Sequence, residues 1–86
     1  MPNELFDDPT HDSVWELFHG ICVICLGQAA HVHEIIPRSV NPKDWWKVEN
    51  RVTLCSYCHE EIHKKGAMNY VDFLQMRRQI MLDLMQ

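Results

Sequence analysis

The sequence predicts a small α+β domain organised around metal, and three observations carry that prediction. The chain has 86 residues, so it buries only about 60 to 65% of its unfolded surface and needs a staple. Its four cysteines fall in two Cys-x-x-Cys pairs, Cys22 with Cys25 and Cys55 with Cys58. Two short β-like segments in the middle of the chain lie between segments of helical character. Residues 1–86 read as one domain, with an irregular N-terminus over 1–12, a metal-bearing core over 21–66 and a C-terminal helix over 69–85.

The elements follow in order. Pro2, Pro9 and an acidic pair keep residues 1–12 irregular. Ser13 and Glu16 have the spacing of a capping box, so a short helix should run through Val14, Trp15, Leu17 and Phe18 until Gly20 stops it. Residues 21–27 form a knuckle around Cys22 and Cys25. Residues 30–36 are β-branched and apolar enough for a strand that Pro37 ends. Asn41-Pro42 signals a turn, and Asp44-Trp45-Trp46 suits one helical turn. Residues 51–54 alternate polar and apolar, as a strand does. Residues 58–65 should be helical up to Gly66. Asn69 is placed to cap a last helix of about four turns through Tyr70, Phe73, Leu74, Ile80, Met81 and Leu84. Its methionines, with Met68, read mostly as packing, and its two apolar stripes exceed what one small core needs. A homodimer through this helix is therefore expected.

Lys and Arg number 8 against 12 acids, a formal net charge of −4. That argues mildly against nucleic acid as a partner, because affinity for it comes mostly from cations on phosphates. The distribution softens the argument: acids crowd the start, while Arg38, Lys43, Lys47, Arg51, Lys64 and Lys65 occupy the middle. MPNELFDDPTHDS is too acidic and polar for a secretory signal. No segment approaches the roughly 18 apolar residues of a membrane span. A cytoplasmic location without membrane attachment is expected, and in reducing surroundings cysteines serve as metal ligands more often than as disulfides.

The two cysteine pairs are separated by 29 residues. An x-x spacer lets one tight turn present two sulfurs, and Zn²⁺ takes four thiolates at about 2.3 Å. Zinc held by Cys22, Cys25, Cys55 and Cys58 would tie two knuckles together and supply folding free energy of order 10 kcal/mol. Free thiols or a redox pair are the alternatives. A four-thiolate site is closed to substrate, so its role is structural.

The histidines are then left for other work. His59 and His63 are four apart on a predicted helix and share a face. His31 and His33 are two apart on a predicted strand and also share a face, with Glu34 on the other. If helix and strands converge, an open site of imidazole and carboxylate forms beside the closed one. Such ligands suit Mn, Ni, Zn or Mg.

HEIIPRS at 33–39, Asn50, and LCSYCHEEIH at 54–63 resemble the three motifs of the HNH endonucleases, in the branch with a four-cysteine zinc. This is the ββα-metal or His-Me finger fold. Order, spacing and flanking residues agree over about 21–66, including Asn50 nine residues before His59. The resemblance implies hydrolysis of DNA phosphodiesters with a catalytic Mg²⁺, Mn²⁺ or Ni²⁺, leaving 5′-phosphate and 3′-hydroxyl ends. It implies that His33 and His59 are ligands of the catalytic metal, that His63 is a further ligand, and that Asn50 constrains the loop orienting the base. Arg38 would contact phosphate, and Arg51, Lys64 and Lys65 are further candidates for the DNA backbone. Family and size suggest a phage or prophage origin. Without a separate recognition domain, low sequence specificity, nicking or targeting by a partner is expected.

Glu34 departs from the pattern, because it stands where most members have the histidine that acts as general base. A carboxylate is a weaker base than neutral imidazole near pH 7. Three readings are open: Glu34 is the base; it joins the metal ligands and leaves His31 or His33 as base; or the site is crippled. The last leads to a different class of function, a degenerate HNH-fold zinc-binding adaptor for nucleic acid or protein.

Other residues read plainly. His31 has no counterpart in the pattern and reads as solvent-facing or satisfied in the core; His11 and His19 read as surface or capping residues. At least one of Trp45 and Trp46 should close the core, although a tryptophan can also stack on a base. Arg77 and Arg78 would either track DNA or form a solvated face.

Overall fold

The computed structural model describes residues 8–85. Among the described residues, three α-helices and one antiparallel hairpin of strands make up the α+β fold. They are α1 (His11–Leu17), β1 (His31–Glu34), β2 (Arg51–Leu54), α2 (Ser56–Lys65) and α3 (Val71–Leu84). Short 3₁₀ turns precede β2 at Val48–Asn50 and α3 at Ala67–Tyr70.

The hairpin positions everything else. His31 pairs with Leu54, Val32 with Thr53, His33 with Val52 and Glu34 with Arg51. Directly paired residues share a face, so His31, His33, Val52 and Leu54 lie on one side, and Val32, Glu34, Thr53 and Arg51 on the other. All four residues of β2 are buried. The face that carries Arg51 and Thr53 is thus covered as well as the apolar one. Thr53 donates its hydroxyl to the Ile21 carbonyl at 2.6 Å, and the Val23 amide donates to the Thr53 carbonyl at 3.1 Å. The first cysteine knuckle is thus bonded to β2.

The core gathers Val14 of α1 and Phe18 just after it, Val23, Ile35, Val52 and Leu54, Ile62 of α2, and Leu74 and Met81 of α3. Buried Cys22 and Cys58 belong to the same cluster. The cysteine cluster and the apolar core are therefore one packed body.

Helix ends differ from expectation. α1 starts at His11 after Thr10, and neither Thr10 nor Ser13 caps it through a side chain. Thr10 instead spends its hydroxyl on the Trp46 carbonyl, a tertiary bond that outcompetes the local cap. Asn69 does not cap α3; its Nδ2 donates to the Lys65 carbonyl at 2.9 Å and so closes the end of α2. Gly66, at φ +97°, makes the reversal, a region that disfavours any residue with a Cβ. Residues 42–46 are turns rather than a helical turn. Of the expected irregular segment, residues 11 and 12 are already helical, and 1–7 lie outside the described residues.

Arg77 and Arg78 are neither a solvated face nor exposed cations. Arg77 donates Nε to the Val23 carbonyl at 2.7 Å, pinning α3 to the first knuckle. Arg78 lies over the Phe18 ring and reaches the Arg51 carbonyl at 3.4 Å. The outer face of α3 remains apolar, with Phe73, Met76, Ile80 and Leu84 exposed. Met68 and Met76 are exposed, contrary to a packing role, while Met81 is buried.

Candidate functional site

The four cysteine sulfurs lie within 4.8 Å of one another, and those of Cys25 and Cys55 are 3.6 Å apart. Tetrahedral zinc with bonds of about 2.3 Å sets its sulfurs about 3.8 Å apart, so the donor set fits the ion. The first knuckle closes through the Leu26 amide on the Cys22 carbonyl and the Cys22 amide on the Gly27 carbonyl. Leu26 takes a left-handed backbone to do so, at φ +66°. The second knuckle is the start of α2. Cys55 is its N-cap, and its Sγ accepts the Cys58 amide at 3.3 Å. That amide draws the Cys55 thiol down to about 7, toward the thiolate that a metal requires.

His59 follows Cys58 directly. α2 therefore divides its side chains by direction: Cys58 and Ile62 inward, His59 and His63 toward the hairpin. His33, from the facing side of β1, completes a group whose ring nitrogens lie within 4.8 Å of one another. The Nε2 atoms of His59 and His63 are 3.0 Å apart. His33 is 5% exposed, and its Nε2 is buried with no hydrogen-bond partner. An orphaned buried nitrogen is costly, and a cation held jointly by His33, His59 and His63 would satisfy it. Burial, then the nearby His59 and His63, lower the His33 pKa to about 4. Burial also lowers that of His59, helped by His63 and His31. Both rings are thereby kept in the neutral form that binds metals. The residues thus fit a divalent ion.

Glu34 stands outside this group, on the other face of β1. Its carboxylate accepts the Arg38 amide at 3.0 Å and the Arg38 guanidinium through Nη2 at 2.5 Å and Nε at 3.2 Å. Glu34 still borders the recess over the imidazoles, which is lined by Val32, His33, Glu34, Pro37, His59, His63 and Ala67. Its position speaks against the reading in which it joins the metal ligands.

Asn50 clamps the loop that leaves β1. Its Oδ1 accepts the Ile36 amide at 2.9 Å, and its Nδ2 donates to the carbonyls of Ile36 at 3.0 Å and Trp45 at 3.1 Å. The loop carrying Pro37 and Arg38 is thus locked to the residue just before β2.

The cations expected on DNA separate. Lys64 and Lys65 are exposed at the end of α2, with Lys65 near Glu61 at 3.4 Å. Arg38 is partly exposed beside the recess. Arg51 does not fit the expectation: its side chain is 2% exposed and bonded to the Asp8 carboxylate and the Thr10 hydroxyl. A guanidinium buried against its own carboxylate cannot reach a phosphate.

Two contacts escaped the sequence reading. His31 is exposed, as expected of a solvent-facing residue, yet its ring stacks on His59 with centroids 4.4 Å apart. The signal was present in the strand alternation that puts His31 and His33 on one face. Trp45, 1% exposed, closes the core and lies under Arg38, whose Cζ is 3.8 Å from the ring centroid. Nothing in the local sequence announced that pairing.

A family model described as HNH endonuclease matches residues 15–65. No curated protein and no solved structure matches the chain.

Proposed function

The chain belongs to the HNH endonuclease family, and on that premise we propose that it is a divalent-metal-dependent DNA endonuclease. It would hydrolyse phosphodiester bonds to leave 5′-phosphate and 3′-hydroxyl ends. The observation that carries the reading is the group of His33, His59 and His63 pointed into one recess, with a buried His33 nitrogen that has no partner. A divalent cation there supplies Lewis-acid neutralisation of the charge that develops on a phosphate under attack.

The chain's own residues would do the rest. His33, His59 and His63 hold the ion. Asn50 fixes the loop from which Arg38 projects. Glu34 at the edge of the recess accepts a proton from the attacking water. Arg38, Lys64 and Lys65 take the DNA backbone, positioning it without reading sequence, so a nicking or low-specificity activity is expected. Cys22, Cys25, Cys55 and Cys58 hold a structural zinc that fixes where α2 begins. The exposed stripe Phe73, Met76, Ile80 and Leu84 supports a homodimer through α3.

A second reading, a non-catalytic adaptor that binds nucleic acid or protein, draws on the capture of Glu34 by Arg38. Incubating supercoiled plasmid with Mg²⁺, Mn²⁺ or Ni²⁺ separates the two. Nicking by the parent and none by His59→Ala supports the nuclease. Plasmid untouched under every metal, with DNA or protein binding retained, supports the adaptor.

A further inference from the structure

The segment between the strands contains an arrangement that the metal group does not explain. Two arginines share one indole. Arg38 lies over the Trp45 ring at 3.8 Å and Arg51 at 5.6 Å. Each also has its own carboxylate: Glu34 for Arg38, Asp8 for Arg51. The register makes this division informative. Glu34 sits directly across the hairpin from Arg51, yet its carboxylate bonds Arg38, while the Arg51 guanidinium bonds Asp8 and Thr10 through its terminal nitrogens.

Arg38 projects from a loop and is 42% exposed along its side chain. A flexible cation in that position ordinarily samples many rotamers, and an exposed ion pair stabilises little. Here the indole supplies a flat surface on which the planar guanidinium rests. The bonds to Glu34 then run from Nε and Nη2, with the Arg38 amide as a third donor. Trp45 is held in turn. Its carbonyl accepts Asn50 Nδ2, and the same Asn50 grips Ile36, two residues before Arg38 sets its plane. The chain of contacts runs Asn50, Trp45, Arg38, Glu34, and it ends at the recess.

We propose that Trp45 is a positioning residue: by stacking under Arg38 it fixes the Glu34 carboxylate at the edge of the three-histidine recess. The consequence for catalysis rests on the nuclease reading, whereas the positioning itself does not. Trp45 does not line the recess and acts on Glu34 through Arg38.

The test reads the arginine directly. In the zinc-loaded parent, the Arg38 Nε–Hε signal should show a carboxylate-bonded shift and slow exchange, and the Arg38 δ protons should be shifted upfield by the indole. Glu34→Gln should abolish the first effect and keep the second. Trp45→Met, which refills the core with an adaptable apolar side chain, should lose both, and Trp45→Tyr should retain both. Parent spectra lacking the upfield shift overturn the proposal without any variant. So does a folded Trp45→Met protein whose Arg38 signal keeps the parent position. In the nicking assay, Trp45→Met should lower kcat by roughly ten- to a hundredfold with KM within about twofold, and Trp45→Tyr should restore most of it. A parent that never nicks DNA defeats the nuclease reading and leaves the spectra to decide the positioning.

Discussion

His33 concentrates the chemistry of the site in one side chain. It is buried, neutral and missing a partner for Nε2, which makes it costly in the folded chain unless a cation is bound. The pH dependence has a definite sign. An unfolded chain protonates this imidazole near 6.5, but the folded one only near 4. Folding is therefore favoured fully above about pH 6.5 and weakened as pH falls toward 4, by an amount on the order of 3 kcal/mol at most. Denaturant unfolding across that window should show the parent losing more stability than His33→Leu. An equal slope in both would contradict the burial argument. His59→Ala should keep one zinc per chain while losing a second, exchangeable ion, measured by metal analysis after mild chelation. At this scale the sequence was legible where local spacing decides: two residues along a strand, four along a helix. It was not legible for Arg51, whose fate depends on Asp8, 43 residues away. Nothing local to RVTL says that its cation is buried.

Among the elements, α2 joins structure to chemistry. Cys55 caps it, Cys58 turns inward, and His59 and His63 turn to the hairpin. Loss of the cap should therefore reach the histidines although they are unchanged. Cys55→Ala, which removes both the cap and one of the four sulfurs, is expected to weaken binding of the second ion at least about tenfold by titration calorimetry, through fraying of the first turn of α2. Undiminished second-site affinity would show that the helix is set by something else. α3 is tied to the first knuckle by Arg77, so Arg77→Ala should cost about 1–3 kcal/mol in denaturant unfolding. The strands and helices were visible in the sequence through periodicity and the residues that break it. Their caps were less so. Thr10 and Asn69 each bond elsewhere, and a cap is a competition among partners that a single sequence does not reveal. Trp45 was legible as core but not as the surface beneath Arg38, because that contact needs the loop geometry Asn50 imposes.

As a whole, the molecule is an apolar core and a cysteine cluster packed as one body. Cys22 and Cys58 belong to both, and the family match spans the segment that holds them. Removing zinc with a strong chelator should unfold the chain cooperatively, seen as joint loss of helical circular dichroism and tryptophan signal. No described helix is long and apolar enough to cross a membrane. The apolar outer face of α3 sets a further expectation: light scattering should give the mass of two chains, reverting to one in Ile80→Glu with Leu84→Glu. A single-chain mass for the parent would end that idea. The central claim is that His33, His59 and His63 form a hydrolytic metal centre distinct from the zinc. Plasmid nicking tests it most directly, comparing parent and His59→Ala, each carrying one zinc, in Mg²⁺, Mn²⁺ and Ni²⁺. The account predicts relaxed circles from the parent with at least one metal and none from His59→Ala; equal nicking by both, or none by the parent under every metal, would contradict it.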